Sequence, residues 1–329
     1  MNPFSYSAAT SAQQAVTERS SLTSAAYLGG GTNLLDNLKL GVEQPDHLID
    51  VRQIGLESID VLPDGGLRIG ASLQNAKLAY DDRVLKQYPA LSEAILSGAS
   101  PQLRNAATTA GNLLQRTRCY YFRDTASPCN KRVPGSGCSA IQGINRIHAL
   151  LGTSDKCIAT HPSDMDVAMV AFDAIVRTQG PHGQRAIPIA EFYVAYGDDP
   201  SKENVLEPGE LITSVDLPAT PWFRNSHYAK ARDRASYEFA LASAAVALNI
   251  ENGTVKDCRI ALGGVATKPW RALAAESTLR GKQPNPETFR AAAEAELRAA
   301  VPQRQNGFKV ELCKRVVVQS LQTVATRLA

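Results

Sequence analysis

The sequence predicts a two-part protein that mixes helices and strands, and three observations support this. The chain has 329 residues, enough for about two domains. It is 44% hydrophobic and 20% charged, which excludes a disordered chain and provides for a large core. Stretches with helical spacing are interspersed with short apolar, strand-like stretches, and a proline-containing break at residues 218–224 divides the chain into unequal parts.

The elements of the first part follow from local patterns. Residues 10–19 have helical spacing, with Thr10 or Ser11 suited to cap the helix, and residues 25–28 are predicted as a strand that leads into a glycine loop. A second amphipathic stretch extends to Leu40, residues 82–97 have helical spacing, and residues 163–178 are apolar. Further strands are predicted at 48–51, 66–72, near 186–192 and at 211–217.

The second part begins with a hairpin and ends with helices. Residues 237–250 and 255–265 flank Asn252-Gly253, a dipeptide typical of two-residue hairpin turns. Residues 285–328 have the apolar spacing of two amphipathic helices. We therefore expect a smaller domain in which helices accompany an antiparallel sheet.

Charge and hydropathy exclude several classes of protein. The net charge is +3, too small for a surface that binds nucleic acid or membrane over its whole area. No stretch approaches the 18 or more apolar residues of a membrane span. The first residues have neither the basic start nor the apolar run of a signal peptide, so the expected compartment is the cytoplasm, unless an exported partner carries the chain.

Cysteines are concentrated in one basic segment. Four of the six lie within 39 residues, spaced C-x9-C-x8-C-x18-C, and residues 104–157 carry a net charge of +6. Zinc sites usually contain close C-x2–4-C pairs, which are absent, whereas a loop can supply the thiolates of an iron–sulfur cluster. The pattern favours an iron–sulfur site; zinc, two disulfides and free core thiols are the alternatives. The isolated Cys258 and Cys313 are predicted to be core residues.

Two glycine-containing loops are candidate sites for a phosphate group. Gly29-Gly30-Gly31-Thr32-Asn33 follows a predicted strand, and glycines there would let backbone N–H groups approach an anion. The sequence matches neither the Rossmann nor the P-loop pattern, and an ordinary turn is the alternative. The segment from Thr108 to Asn112 also has small hydroxylated residues beside a glycine, and a tightly packed turn would explain it equally well.

Two polar sites remain open to two interpretations. Ser163 and Asp164 could bind the hydroxyl groups of a sugar chain, or they could cap the helix that follows them. Lys230 lies just beyond the proline-containing break, and a lone lysine is ordinarily a solvated surface charge.

Five segments, in this order, resemble one family. They are YLGGGTNLL at 27–35, RNAATTAGNL at 104–113, HPSDMDVAMVAFDA at 161–174, EPGELITSVDLP at 207–218 and YAKARDR at 228–234. The chain resembles the FAD-binding subunits of the molybdenum hydroxylases, which include xanthine dehydrogenase, carbon monoxide dehydrogenase and aldehyde oxidoreductases. It is most similar to the iron–sulfur flavoprotein subunits of the bacterial periplasmic aldehyde oxidoreductase type.

The resemblance implies an α+β fold. The expected first domain, residues 1–220, is a two-part FAD-binding domain of the vanillyl-alcohol-oxidase (PCMH) type, interrupted by a cysteine-rich insertion at 114–160. The expected second domain, residues 224–329, is a smaller α+β domain. FAD would lie extended between the parts.

The resemblance also implies the residues of two sites. Contacts with FAD would come from Ala26, Tyr27, Leu28, Gly29, Gly30, Gly31, Thr32, Asn33, Leu34, Thr108, Gly111, Asn112, Ser163, Asp164, Asp166, Leu211, Ile212 and Lys230. A lysine at position 230 would favour reduced, anionic flavin through its charge. Cys119, Cys129, Cys138 and Cys157 would hold a [4Fe–4S] cluster as a relay or as a structural clamp.

The implied function is electron transfer. A large subunit with the molybdenum cofactor would oxidise an aldehyde to a carboxylate, and electrons would pass through a small [2Fe–2S] subunit and this FAD to an external acceptor. The implied compartment is the periplasm, reached with a signal-bearing partner, and otherwise the cytoplasm. Two other functions are alternatives: an iron–sulfur redox sensor that binds nucleic acid, and a stand-alone FAD oxidoreductase.

Overall fold

A computed structural model describes residues 1–328, and its strands form three sheets. The first sheet is parallel, in the order β1-β3-β2, with β1 at Ser5–Ala8, β2 at Ala25–Leu28 and β3 at His47–Asp50. Helix α1 (Ala12–Ser21) begins where the Ser11 side chain accepts a hydrogen bond from the Gln14 backbone N–H at 3.1 Å, which confirms the predicted cap. Strand β1 was not expected, because its SYSA sequence lacks an apolar alternation.

The second sheet is antiparallel and forms the centre of the first part of the chain. Its order is β4-β5-β8-β6-β7, with strands at Ile59–Val61, Leu67–Gly70, Ile175–Gly180, Gly183–Pro188 and Leu211–Leu217 for β4 to β8 in chain order. The predicted strand at 211–217 is confirmed, and residues 189–192 of the stretch predicted as a strand form a short helix instead. The apolar stretch 163–178 divides into a helix and strand β6.

Helices pack on this sheet to make the largest apolar core. Residues 82–97 form two helices rather than one, because Tyr88 leaves the helical conformation and Pro89 begins a new helix. The helices after α1 are α2 (Leu34–Lys39), α3 (Asn75–Ala79), α4 (Asp82–Gln87), α5 (Pro89–Ser97), α6 (Pro101–Ala106), α7 (Thr109–Leu113), α8 (Tyr120–Arg123), α9 (Ser139–Gln142), α10 (Asp164–Ala171) and α11 (Ile189–Phe192).

The third sheet belongs to the second part of the chain. It is antiparallel in the order β12-β11-β10-β9, with β9 at Ser226–Ala231, β10 at Ala242–Glu251, β11 at Thr254–Gly263 and β12 at Trp270–Arg271. The predicted hairpin is confirmed, and Asn252 and Gly253 adopt φ values of 51° and 71°, as a two-residue turn between twisted strands requires.

Helices α12 (Leu273–Leu279), α13 (Pro286–Leu297) and α14 (Phe308–Leu328) cover this third sheet, and a 3-10 helix at Pro221–Arg224 precedes its first strand. The two helices predicted in the tail are α13 and α14. Cys258 in β11 and Cys313 in α14 are fully buried, as expected of core residues. No helix within residues 1–328 combines the length and the apolar character needed to cross a bilayer.

The insertion at 114–160 is irregular apart from α8 and α9. Its backbone is held by turns, by an isolated bridge between Cys129 and Cys138, and by contacts with the second part of the chain. The Leu150 N–H, for example, donates to the Val265 carbonyl oxygen at 2.7 Å. The insertion therefore lies against both parts of the protein.

Candidate functional site

A cavity of about 520 Å³ opens where the two parts of the chain and the insertion meet. Its wall includes Thr32, Asn33 and Asp36 from the first sheet region, Gly111 and Asn112 from α7, Arg118, Tyr120 and Arg123 from the insertion, and Asp164, Lys230, Tyr237 and Phe239. Pockets that bind small molecules and cofactors usually have volumes of about 300–1,000 Å³, and this cavity falls within that range.

The two glycine-containing loops lie directly against each other beside this cavity. A Cβ atom on Gly30 would fall 1.9 Å from the Ala106 carbonyl oxygen, and one on Gly29 would fall 2.8 Å from Thr108 Oγ1. A real Cβ atom essentially never approaches so closely, so position 30 requires glycine for the loops to meet, whereas at position 29 the Thr108 side chain would have to shift. The loops that the resemblance assigns to one ligand are thus neighbours in space.

The side-chain amide of Asn33, which lines the cavity, is a hydrogen-bond donor without a partner among residues 1–328. Its Oδ1 accepts a hydrogen bond from the Arg116 backbone N–H at 2.8 Å, while its buried Nδ2 has no partner in the described part of the chain. A buried amide donor without a partner costs free energy, which a bound acceptor would recover. This geometry fits a ligand that carries oxygen acceptors, as the diphosphate and sugar chain of FAD do.

The cavity also contains cations without a carboxylate partner. Within residues 1–328 no carboxylate lies at ion-pair distance from Arg104 or Arg118, both of which line the wall. Burial, with a further contribution from Arg123, lowers the pKa of Arg118 to about 10, so this guanidinium is still charged at neutral pH. Unpaired arginines in a cavity favour an anionic ligand.

Lys230 and Asp164 form a buried ion pair at the wall. Lys230 Nζ lies 2.7 Å from Asp164 Oδ2 and 3.3 Å from the Ser97 carbonyl oxygen, and the Tyr228 hydroxyl donates to Asp164 Oδ1 at 2.5 Å. The Lys230 side chain is only 4% exposed. The interpretation of Lys230 as a solvated surface charge is therefore wrong, and its charge is balanced within the protein.

Ser163 and Asn112 connect this pair to the second loop. The Ser163 hydroxyl donates to Asn112 Oδ1 at 2.8 Å and accepts from the Asp166 backbone N–H at 3.1 Å, so Ser163 caps α10. The capping interpretation of Ser163 is confirmed. Asp164, the first residue of α10, lines the cavity at the same time.

Other residues implied as flavin contacts do not line the cavity. Asp166 is fully buried, and its Oδ2 accepts from the Tyr193 hydroxyl and contacts His161 Nε2, each at 2.7 Å. Leu211 and Ile212 are buried in apolar cores. Ala26, Tyr27 and Leu28 form strand β2 below the glycine loop, and Gly31 and Leu34 continue from that loop into α2. A role of these residues in flavin binding stays a prediction.

The four clustered cysteines meet in one small core. Cys119, Cys129 and Cys157 are buried and Cys138 is half-buried, together with Phe122, Ala140 and Ile158. All four are free thiols, so the alternative of two disulfides is not what the structure has. Within residues 1–328 no group of three or more His, Cys, Asp or Glu side chains is arranged to hold a single metal ion.

Hydrogen bonds and burial shift the pKa values of three of these thiols, Cys119, Cys138 and Cys157. A hydrogen bond from Cys157 lowers the pKa of Cys138 to about 6, and the same bond, together with burial, raises the pKa of Cys157. Burial raises the pKa of Cys119 to about 11. Its Sγ lies 3.1 Å from His148 Nε2, and burial and the charge of Lys309 lower the pKa of this histidine to about 4.

The cavity and the cysteine core share a wall. Cys119 belongs to the core, and its neighbours in sequence, Arg118 and Tyr120, line the cavity. Arg118 and Tyr120 were not predicted as site residues, nor were Tyr237 and Phe239, which reach the cavity from an exposed loop after β9. The position of Arg118 and Tyr120 beside a clustered cysteine was the only sequence signal for them.

Comparison with known proteins identifies the relatives of this chain. A model described as the FAD binding domain in molybdopterin dehydrogenase matches residues 2–220, and one described as the CO dehydrogenase flavoprotein C-terminal domain matches residues 226–324. The chain is 49% identical over 324 residues to the aldehyde oxidoreductase FAD-binding subunit PaoB of Escherichia coli (strain K12), covering 98% of each chain.

More distant relatives extend this result. The chain is 25% identical over 283 residues to the glyceraldehyde dehydrogenase medium chain of Sulfolobus acidocaldarius, covering 86% of this chain and 83% of the relative. In the solved carbon monoxide dehydrogenase from Hydrogenophaga pseudoflava, one chain superposes with a TM-score of 0.77 at 27% identity, over 99% of this chain and 98% of that one. The protein therefore belongs to the FAD-binding medium subunits of the molybdenum hydroxylases, a family of oxidoreductases.

Proposed function

We propose that this chain is the electron-transfer subunit of a molybdenum-dependent aldehyde oxidoreductase, and that it holds one FAD and one [4Fe–4S] cluster. The observation that carries this proposal is the wall shared by the two sites, where Cys119 lies between Arg118 and Tyr120. The aldehyde class is favoured by the 49% identity to a subunit of an aldehyde oxidoreductase.

FAD, when bound, supplies a centre that exchanges one or two electrons, and the residues of the cavity would hold and orient it. The unpaired Asn33 amide donor and the cations of Arg104 and Arg118 suit its oxygen-rich, anionic part. Tyr120, Tyr237 and Phe239 offer aromatic surface at the same cavity. The Lys230–Asp164 pair would place a fixed cation and a fixed carboxylate beside the bound FAD.

The four cysteines suit a cluster of several irons better than a single ion. Iron–sulfur clusters use four thiolates around an inorganic core that is larger than one ion. Four thiols share the core around Phe122 and Ala140, the number that such a cluster uses, and their spacing lacks the close C-x2–4-C pairs usual at zinc sites.

Two partner chains complete the proposed complex. A large subunit with the molybdenum cofactor would oxidise the aldehyde, and a small [2Fe–2S] subunit would deliver the electrons to this chain. An external acceptor would then remove them. We further propose that the complex reaches the periplasm through a signal-bearing partner, with the cytoplasm as the alternative; fractionation of cells that express all chains tests this.

Cofactor analysis of the co-expressed complex tests the cluster. We expect about four iron atoms per complex to be lost when Cys129 and Cys157 are both changed to alanine, because alanine offers no donor atom in place of the thiolate ligands of the cluster. Cys313→Ala is the control, since Cys313 is buried in another core, and it should keep all the iron. Zinc in place of this iron in the unmodified complex would overturn the cluster assignment.

A glycine substitution tests the FAD site. In Gly30→Ala the new Cβ would collide with the Ala106 backbone, so the two loops must separate, and we expect the flavin content to fall well below one per chain. Gly180→Ala is the control, because a Cβ there meets only ordinary contacts with Glu210. A full flavin content in Gly30→Ala would contradict the proposed site.

An active single chain without partners would favour a stand-alone oxidoreductase.

A further inference from the structure

The start of helix α14 clamps a short segment of the cysteine-rich insertion. The fully buried Lys309 Nζ donates to three backbone carbonyl oxygens: Gly264 at 2.6 Å, His148 at 2.8 Å and Ile147 at 3.1 Å. Asn306 Nδ2 donates to the carbonyl oxygens of His148 and Ala149 at 3.1 and 3.2 Å. The second part of the chain thus fixes the backbone at 147–149, within the insertion.

This clamp directs the His148 ring toward one of the clustered cysteines. His148 is 1% exposed, and its Nε2 lies 3.1 Å from Cys119 Sγ. The Tyr120 ring packs edge-on against the imidazole, with ring centroids 6.5 Å apart. The ring therefore has little freedom to turn away from the sulfur.

The direction of the hydrogen bond follows from the two nitrogen atoms of this ring. His148 Nδ1 is buried and has no partner in the described residues, so a proton there would be an unsatisfied donor. The tautomer with its proton on Nε2 leaves only a lone pair unsatisfied and points a donor at sulfur. A thiolate bound to iron can only accept, which suits this arrangement.

We propose that His148 donates a hydrogen bond from Nε2 to the Cys119 thiolate and thereby raises the reduction potential of the cluster, and that Lys309 is the residue that positions it. This inference rests on the proposed [4Fe–4S] cluster. A donor aimed at a ligand sulfur stabilises the reduced cluster, which carries more negative charge, over the oxidised one. The second part of the chain, far from the cysteines in sequence, thus tunes a site in the first.

A redox titration of the complete complex, followed by the EPR signal of the reduced cluster, tests the proposal. His148→Leu removes the donor, and the midpoint potential of the cluster should shift to a more negative value. His148→Gln can still donate through its side-chain amide and should recover part of the shift. Lys309→Met keeps the ring but loosens the backbone that carries it, so an intermediate shift is expected. His182→Leu, at an exposed position, is the control and should not change the potential.

Spectroscopy on the unmodified complex provides an independent test. With ¹⁵N-labelled histidine, the reduced cluster should show a weak nitrogen coupling, as expected through a hydrogen bond, and His148→Leu should abolish it. An unchanged potential in His148→Leu, with the iron content intact, would overturn the inference. A strong nitrogen coupling together with loss of iron would also overturn it, because His148 would then be a ligand. Absence of the cluster in the unmodified complex would instead refute the proposed function.

Discussion

At the scale of single residues, the buried pair of Lys230 and Asp164 determines how the cavity wall responds to substitution. Lys230→Met would leave the Asp164 carboxylate buried, with the Tyr228 hydroxyl as its remaining donor. We expect the free energy of unfolding to fall by about 3 kcal/mol, because removing one member of a buried pair leaves an uncompensated charge. Denaturant unfolding checks this value, and flavin content and flavin potential are measured in parallel.

A double variant separates stability from flavin binding at this pair. In Lys230→Met with Asp164→Asn both charges are gone, so much of the lost stability should return. A loss of flavin that persists in the double variant would then reflect flavin binding and not stability. Lys256→Met is the matched control, because Lys256 pairs with Glu251 on an exposed hairpin and such pairs contribute little. If Lys230→Met keeps both the flavin content and the flavin potential of the unmodified chain, Lys230 has no role toward FAD.

At the scale of elements, Asp216 ties together three strands of the central sheet. It lies on β8, and its two carboxylate oxygens accept from Arg68 Nε at 2.7 Å on β5 and Arg177 Nε at 2.8 Å on β6. Burial alone would raise the pKa of Asp216, but the hydrogen bonds from the two arginines outweigh it and hold that pKa below its usual value. The ionised Asp216 carboxylate therefore contributes to the stability of the sheet.

This lowered pKa predicts a pH dependence. The contribution of Asp216 is fully present above the unfolded pKa, near 4, and is lost as the pH falls through the lower pKa of the folded state. Asp216→Asn should reduce the free energy of unfolding at pH 7 by about 2 kcal/mol, and its difference from the unmodified chain should shrink below pH 4. Urea unfolding between pH 7 and pH 3 measures this. A difference that stays constant over the whole range would contradict the assignment.

Elements with a strong local signal were predictable, and those shaped by packing were not. Strands β2 and β8 and the hairpin at Asn252-Gly253 follow from alternation and turn chemistry in a few residues. The break between α4 and α5 depends on Pro89, which a purely periodic pattern overlooks. Strand β1 forms because β3 offers a free edge for parallel pairing, and no pattern in four polar and small residues reveals that edge.

At the scale of the whole molecule, carboxylates of the same protein neutralise most of the positive charge of the insertion. Ion pairs join Arg116 to Glu43 and Glu203, Arg123 to Asp36, Lys131 to Glu203, Arg146 to Asp233 and Lys156 to Asp155. Most of these carboxylates come from other segments of the chain. The net charge of +6 is therefore a property of the segment in sequence and not of the folded surface around it.

These pairs predict that the complex does not bind nucleic acid. In filter-binding assays with duplex DNA and with RNA, at about 50 mM and about 150 mM salt, we expect no salt-dependent retention, because few cations remain to displace counterions. A complex with Glu43→Gln and Glu203→Gln, which frees both Arg116 and Lys131, serves as the comparison for weak binding. Affinity of the unmodified complex that falls steeply with salt would support the alternative of a nucleic-acid-binding redox sensor.

The sequence by itself determined the family, the order of most elements and the two sets of candidate residues. It could do so because glycine loops, cysteine spacing and apolar periodicity are local and leave their mark in neighbouring residues. Only the tertiary structure decided which residues meet: Gly30 against Ala106, Lys230 with Asp164, and Lys309 with the backbone beside His148. Each of these contacts joins distant parts of the chain, and packing between whole elements, which no local pattern encodes, brings them together.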